Sequence, residues 1–136
     1  VIGVIHMRKE EYRAAEPPLD QALAIVREAG DKGLYAVTLA QRGSVAIHLG
    51  EYEQAKAMIQ ESLGIARQLG TGWIIAFCLA RLAMIALRRD EMQRAEAYFL
   101  EGVARARDTG IARWRRWYLA GLAEIGSRAR PPPRRS

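Results

Sequence analysis

Set in rows of forty residues, the sequence aligns with itself. Tyr12, Tyr52 and Met92 share a column, as do Ala15, Ala55 and Ala95, then Leu19, Ile59 and Phe99, then the small residues Ala22, Ser62 and Gly102. Leu23, Leu63 and Val103 follow, then Arg27, Arg67 and Arg107, and Gly30, Gly70 and Gly110 close each unit. Self-similarity at this period means stacked supersecondary units, because one unit cannot bury its own apolar face. Positions 52, 55, 59, 62, 63 and 66 are apolar or small and step by three or four, the period of one helix face. The glycine suits the left-handed residue past a helix end, and the arginine three before it suits the negative end of the dipole.

The other half of each unit repeats as well. Leu39, Leu79 and Leu119 align, then Gly43, Ala83 and Ala123, then Val45, Ile85 and Ile125. The pattern predicts helix, turn, helix, with small residues at 43, 83 and 123 admitting a close neighbour and tight turns at Gly50-Glu51 and Arg89-Asp90. Asp31 and Thr71 are candidate N-caps. Five helices are readable, from a truncated stretch over 1–7 through 11–28 and 32–48 to a last one from 111 to about 125. Pro17-Pro18 removes two amides from the 11–28 helix, yet the apolar phase continues across them, which predicts one bent helix rather than two.

Bulk properties bound the function. The 136 residues suit one domain, and a chain half apolar with 26% charged residues is neither disordered nor a disulfide scaffold. Cys78 stands alone, so no internal disulfide forms and a reducing cytoplasm is expected. No secretory leader is recognisable, and the longest apolar stretch, Trp73 to Ala80, is far short of a bilayer span, so no membrane role is expected. A start at Val1 inside a helical pattern is read as a fragment of something longer.

Leu39, Arg42-Gly43, Ala46, Gly50, Tyr52, Ala55, Ile59 and Ser62, repeated as Leu79, Leu82-Ala83, Ala86, Asp90, Met92, Ala95, Phe99 and Gly102, form a pattern that resembles the tetratricopeptide repeat. The usual unit of that family has 34 residues; the forty here look like the longer repeats of bacterial multidomain signalling proteins and transcriptional regulators, and Ala15-Glu16-Pro17 is similar to repeats of the kinesin light chain type. The resemblance implies an all-α, right-handed superhelical solenoid of antiparallel helix pairs with about three repeats. Its expected divisions are a truncated repeat over 1–30, repeats over 31–70 and 71–110, a capping helix over 111–126 and a disordered basic tail over 127–136. It further implies a non-enzymatic protein-interaction or scaffolding module of a signalling or transcription protein, with first helices lining a concave groove for a peptide or helix.

Carried over by alignment, the groove positions are Val37, Phe77 and Trp117, then Ala40, Ala80 and Ala120, then Ser44, Met84 and Glu124, with Gln41, Arg81, His48 and Arg88 at the edge. Family members that clamp a terminal carboxylate do so with Lys and Asn; Ala, Ser and Met stand there in this chain, so apolar anchoring is expected instead. The competing reading is that these side chains only pack helix on helix.

Arg113-Trp114-Arg115-Arg116-Trp117-Tyr118 combines cations and rings as single-strand nucleic-acid sites do, making Arg113, Arg115 and Arg116 candidate anion contacts. In the forty-residue frame Arg115 replaces Tyr35 and Ile75, and Arg116 replaces Ala36 and Ala76, so a polar cap on a terminal repeat is the favoured account over nucleic-acid binding. Trp114, Trp117 and Tyr118 are spaced to seal one helix face. A third alternative is a structural segment whose exposed repeat ends self-associate into a homo-oligomer. No cofactor, metal or catalytic set is expected: His6 and His48 lack nearby ligands, Cys78 reads as inert core, and the glycine pairs lie between helices rather than after a strand. The net charge of +6 is uneven, with 8 Lys/Arg against 9 Asp/Glu over 1–70 and 13 against 6 over 71–136. Four of the arginines lie at 128, 130, 134 and 135, so the excess gathers at one end of a near-neutral array.

Overall fold

The computed structural model describes residues 8–109 and 112–129, with side chains for 8–105 and 115–128. The first expected helix over 1–7, His6, and 130–136 of the tail lie outside the described residues. Among those described there are six helices and no strand: α1 (Lys9–Ala29), α2 (Lys32–His48), α3 (Tyr52–Leu69), α4 (Gly72–Arg88), α5 (Met92–Thr109) and α6 (Ala112–Ala129). The expected count of five is thus too low, although the expected pairing of two helices in each forty-residue period holds. The chain divides into two compact units, residues 1–70 and 71–136.

Turn chemistry sets the helix ends. Gly30 and Gly70 adopt φ +73° and +70°, and their amides donate to Arg27 and Arg67 carbonyls at 3.2 and 3.3 Å, the left-handed stop that a side chain would strain. Asp31 caps α2 by accepting from the Leu34 amide at 3.0 Å. Thr71 does not cap α4, contrary to expectation. Its backbone, φ −88° and ψ 93°, nearly matches that of Asp31, φ −82° and ψ 94°. The difference therefore lies in the side chains and not in the backbone.

In the first unit α2 packs between α1 and α3. Ser62 on α3, fully buried, donates its hydroxyl to the Ala36 carbonyl at 2.6 Å. Gly43 lets the two helices approach: a Cβ there would stand 2.7 Å from Ile59 Cδ1. Ala36, Ala55, Ile59 and Ala66 are sealed from solvent at this seam. Toward α1 the contact is polar. Arg42, with only about a tenth of its side-chain surface exposed, donates from Nε to Asp20 at 2.9 Å and from Nη2 to Glu16 at 2.7 Å. Those carboxylates flank Pro17-Pro18, and α1 runs unbroken through both prolines. Arg13 and Ala14, whose carbonyls the prolines leave without amide partners, sit among the exposed residues, where water can take over.

In the second unit α5 packs against α4 and α6. Tyr118, fully buried on α6, donates its hydroxyl to the Ala76 carbonyl of α4, and its ring occupies the space over Gly102 of α5. Phe99 of α5 in turn lies over Gly121 of α6, where a Cβ would stand 2.4 Å from the ring. The two helices exchange a ring for a glycine in each direction, which is how the α5–α6 seam accommodates its large aromatics. The last helix reaches Ala129 rather than stopping near 125, so 127–129, expected in the tail, are helical. An Arg128–Glu124 ion pair at 2.7 Å, one turn apart, supports that extra turn.

Candidate functional site

The first unit supplies Val37, Gln41, Ser44 and His48 from α2, a helix in which small and apolar residues alternate with few charges. Val37 and Ser44 are half-buried and Gln41 is exposed. The Ser44 hydroxyl donates back to the Ala40 carbonyl at 3.1 Å. His48 stacks on Tyr12 of α1 with ring centroids 4.5 Å apart and 12° between planes, so its ring is engaged in joining α1 to α2.

The second unit supplies Phe77, Arg81, Met84 and Arg88 from α4, spaced at three and four residues so that they share one side of the helix. Phe77, Arg81 and Met84 are half-buried. The Arg81 guanidinium lies 4.6 Å above the Phe77 ring centroid, and its Nη1 comes within 3.3 Å of the Met84 sulfur. The result is a flat patch with a cation laid across an apolar stripe, a surface suited to a partner offering both apolar and acidic groups. The rest of α4 is almost wholly buried, from Ile74 through Cys78 and Leu79 to Ala86, which fixes this patch on a rigid helix. Cys78 is sealed in that core.

On α6, Trp117 keeps 38% of its surface exposed while touching Phe99 at 5.4 Å and Tyr118 at 5.2 Å between centroids. It closes the α5–α6 seam and presents its outer edge to solvent. Glu124 is exposed and paired with Arg128. Arg115 and Arg116 are exposed, and the side chains of Arg113 and Trp114 lie outside the described residues. Burial drives the Tyr118 phenol pKa well above its ordinary value, so it stays a neutral hydrogen-bond donor.

Sequence reasoning missed two features. Arg42 was legible only as half of a repeat signature, although a lone arginine in a column otherwise filled by Leu82 and Leu122 signals a buried ion pair. The ring-for-glycine exchange of Tyr118 with Gly102 and Phe99 with Gly121 needs the pairing of two helices and leaves no spacing signature. Among the described residues no group of His, Cys, Asp and Glu could hold a metal ion, and no helix is long and apolar enough to cross a membrane.

No curated protein sequence matches the chain. The profile described as tetratricopeptide repeat matches twice, over residues 2–68 and 34–108, the overlapping fits expected where a repeat of helix pairs can be entered at successive units. With that match spanning most of its length and helix pairs recurring at forty residues, the chain belongs to the tetratricopeptide repeat family.

Proposed function

We propose that this chain, like the interaction and scaffolding repeats of its family, seats an amphipathic peptide or helix on the first-helix face of its second unit, with Phe77 and Met84 of α4 as apolar anchors, Trp117 of α6 as a flanking ring and Arg81 as the contact for an acidic group. The observation that carries this reading is the Arg81 guanidinium stacked across Phe77 and against Met84, a partly buried cation on an apolar stripe of a rigid helix. The forty-residue unit supports placing the module in the regulatory part of a larger bacterial signalling or transcription protein, and the single buried thiol suits a reducing compartment.

Selection of peptides from a random displayed library tests the reading. The expected peptides carry apolar anchors three or four residues apart beside an acid, and bind the Phe77→Ala and Arg81→Ala variants at least tenfold more weakly while the melting temperature holds. Peptides that bind Phe77→Ala as tightly as the unaltered chain, or a loss of binding that only tracks loss of stability, would overturn it.

A further inference from the structure

The Phe77–Arg81–Met84 stripe carries an oxidisable group within reach of solvent. Met84 is half-buried on α4, while Cys78, the chain's single thiol, is sealed on the same helix, so an oxidant in water meets the thioether and not the thiol. A thioether is a weak hydrogen-bond acceptor, yet a cation faces this one: Arg81 Nη1 lies 3.3 Å from the Met84 sulfur. Met58 of α3 and Met92 of α5 are half-buried as well, so exposure alone does not single out Met84; the guanidinium at its sulfur does. Ala83 and Ile85, on either side of Met84 in the chain, are buried, which holds α4 in place whatever happens to the exposed part of that side chain.

Oxidation by hydrogen peroxide would turn a weak contact into a strong one. The sulfur lone pair attacks one peroxide oxygen and the O–O bond breaks. Sulfur is oxidised to the sulfoxide, and the departing hydroxide takes the proton of the transferred oxygen and leaves as water. The new oxygen is a good acceptor, one bond from a sulfur that a guanidinium N–H already approaches, so Arg81 can donate a charge-assisted hydrogen bond to it. Two parts of the docking stripe are then lost together: the apolar anchor becomes polar, and the cation that meets a partner's acid is engaged within the stripe. We infer that Met84 is a peroxide modification site, and that its sulfoxide, held by Arg81, switches off docking of the amphipathic acidic segment. The inference rests on the docking reading above and adds its regulation.

A selected peptide free of Met, Cys and Trp, titrated against the full chain before peroxide treatment and again after the peroxide is removed, tests it. Tandem mass spectrometry locates the sulfoxide, and circular dichroism follows the fold. The expected result is Met84 sulfoxide in a folded chain whose affinity is about tenfold or more weaker. In Met84→Leu the affinity before and after treatment is expected to be the same, whatever its starting value, whereas Met58→Leu and Met92→Leu keep the full response. In Arg81→Ala the response should shrink, because the cation contact is already gone. A folded chain in which Met84 resists oxidation, an affinity indifferent to treatment, a response that persists in Met84→Leu or is undiminished in Arg81→Ala, or a loss of binding that accompanies unfolding would each overturn the inference while the Phe77 dependence of the peptide stands. Peptides that ignore Phe77→Ala would overturn the docking reading itself, and this regulation with it.

Discussion

The α1–α2 and α5–α6 seams occupy the same register, a second helix meeting the next first helix, yet they are built from different chemistry. The first is held by Arg42 between Glu16 and Asp20, a Tyr12–His48 stack and an Arg27 guanidinium near Tyr35. All of its members but Arg42 keep part of their surface open to solvent. The second is held by Phe99, Tyr118 and Trp117, two of them fully buried, each lying in space that a glycine leaves open. The comparison teaches that the repeat conserves a backbone frame, while the side chains that close the frame are chosen jointly by facing helices. Even the same carbonyl is served in two ways: Ala36 accepts from Ser62 of its own mate, and the aligned Ala76 accepts from Tyr118, which reaches across the glycine standing where Ser62 would be.

The largest effect should come from emptying the aromatic seam. Phe99→Ala is expected to cost about 3–5 kcal/mol by chemical denaturation, from lost burial plus the cavity left against Gly121. Next, Gly102→Ala should cost about 1–3 kcal/mol, because the added methyl meets a ring that is itself tethered to Ala76. Gly43→Ala should cost less, since what stands closest is the Cγ1–Cδ1 arm of Ile59, which can rotate, and the aligned Ala83 already carries that methyl. Equal costs at the two glycines would break the distinction between rigid and yielding neighbours.

On the polar seam, Arg42→Leu installs the residue found at 82 and 122 and is expected to cost about 1–2 kcal/mol, because Asp20 is open enough to be solvated once its partner is gone. The salt dependence of unfolding should shrink in that variant and stay unchanged in Phe99→Ala. A smaller effect, about 1 kcal/mol, is expected for Tyr118→Phe, which removes one hydrogen bond and keeps the ring. Its pH signature is the sharper test. The folded phenol titrates above its ordinary value of 10.0, so its contribution is complete below that pH and is lost as the unfolded chain gains the option of ionising above it. Stability should therefore fall with alkalinity in the wild type and less steeply in Tyr118→Phe. Smallest of all, Asp90→Gly should stabilise by less than about 1 kcal/mol, since Asp90 holds φ +57° where its counterpart Gly50 holds +78° without strain.

Helix pairs, turns and their boundaries were legible to within a few residues because they rest on local chemistry: glycine at left-handed stops, Asp31 at a cap, and apolar steps of three and four. The same local logic placed Cys78 in the core and exposed Arg115 and Arg116. It erred at the Thr71 cap and on the last turn of α6, where an ion pair one turn apart supports a longer helix. The candidate face was legible as a set of positions and illegible as a surface. Spacing put Phe77, Arg81 and Met84 on one side of α4 without indicating that the guanidinium lies across the ring.

From the amino-acid order alone came the period, the helical class and the family, since a forty-residue repeat of amphipathic helices has few other ways to bury its apolar stripes. Only tertiary structure decided which carbonyl Tyr118 would reach, which rings would settle over which glycines, and that Arg42 would be buried between two carboxylates. Those choices belong to pairs of helices, and periodicity describes one helix at a time.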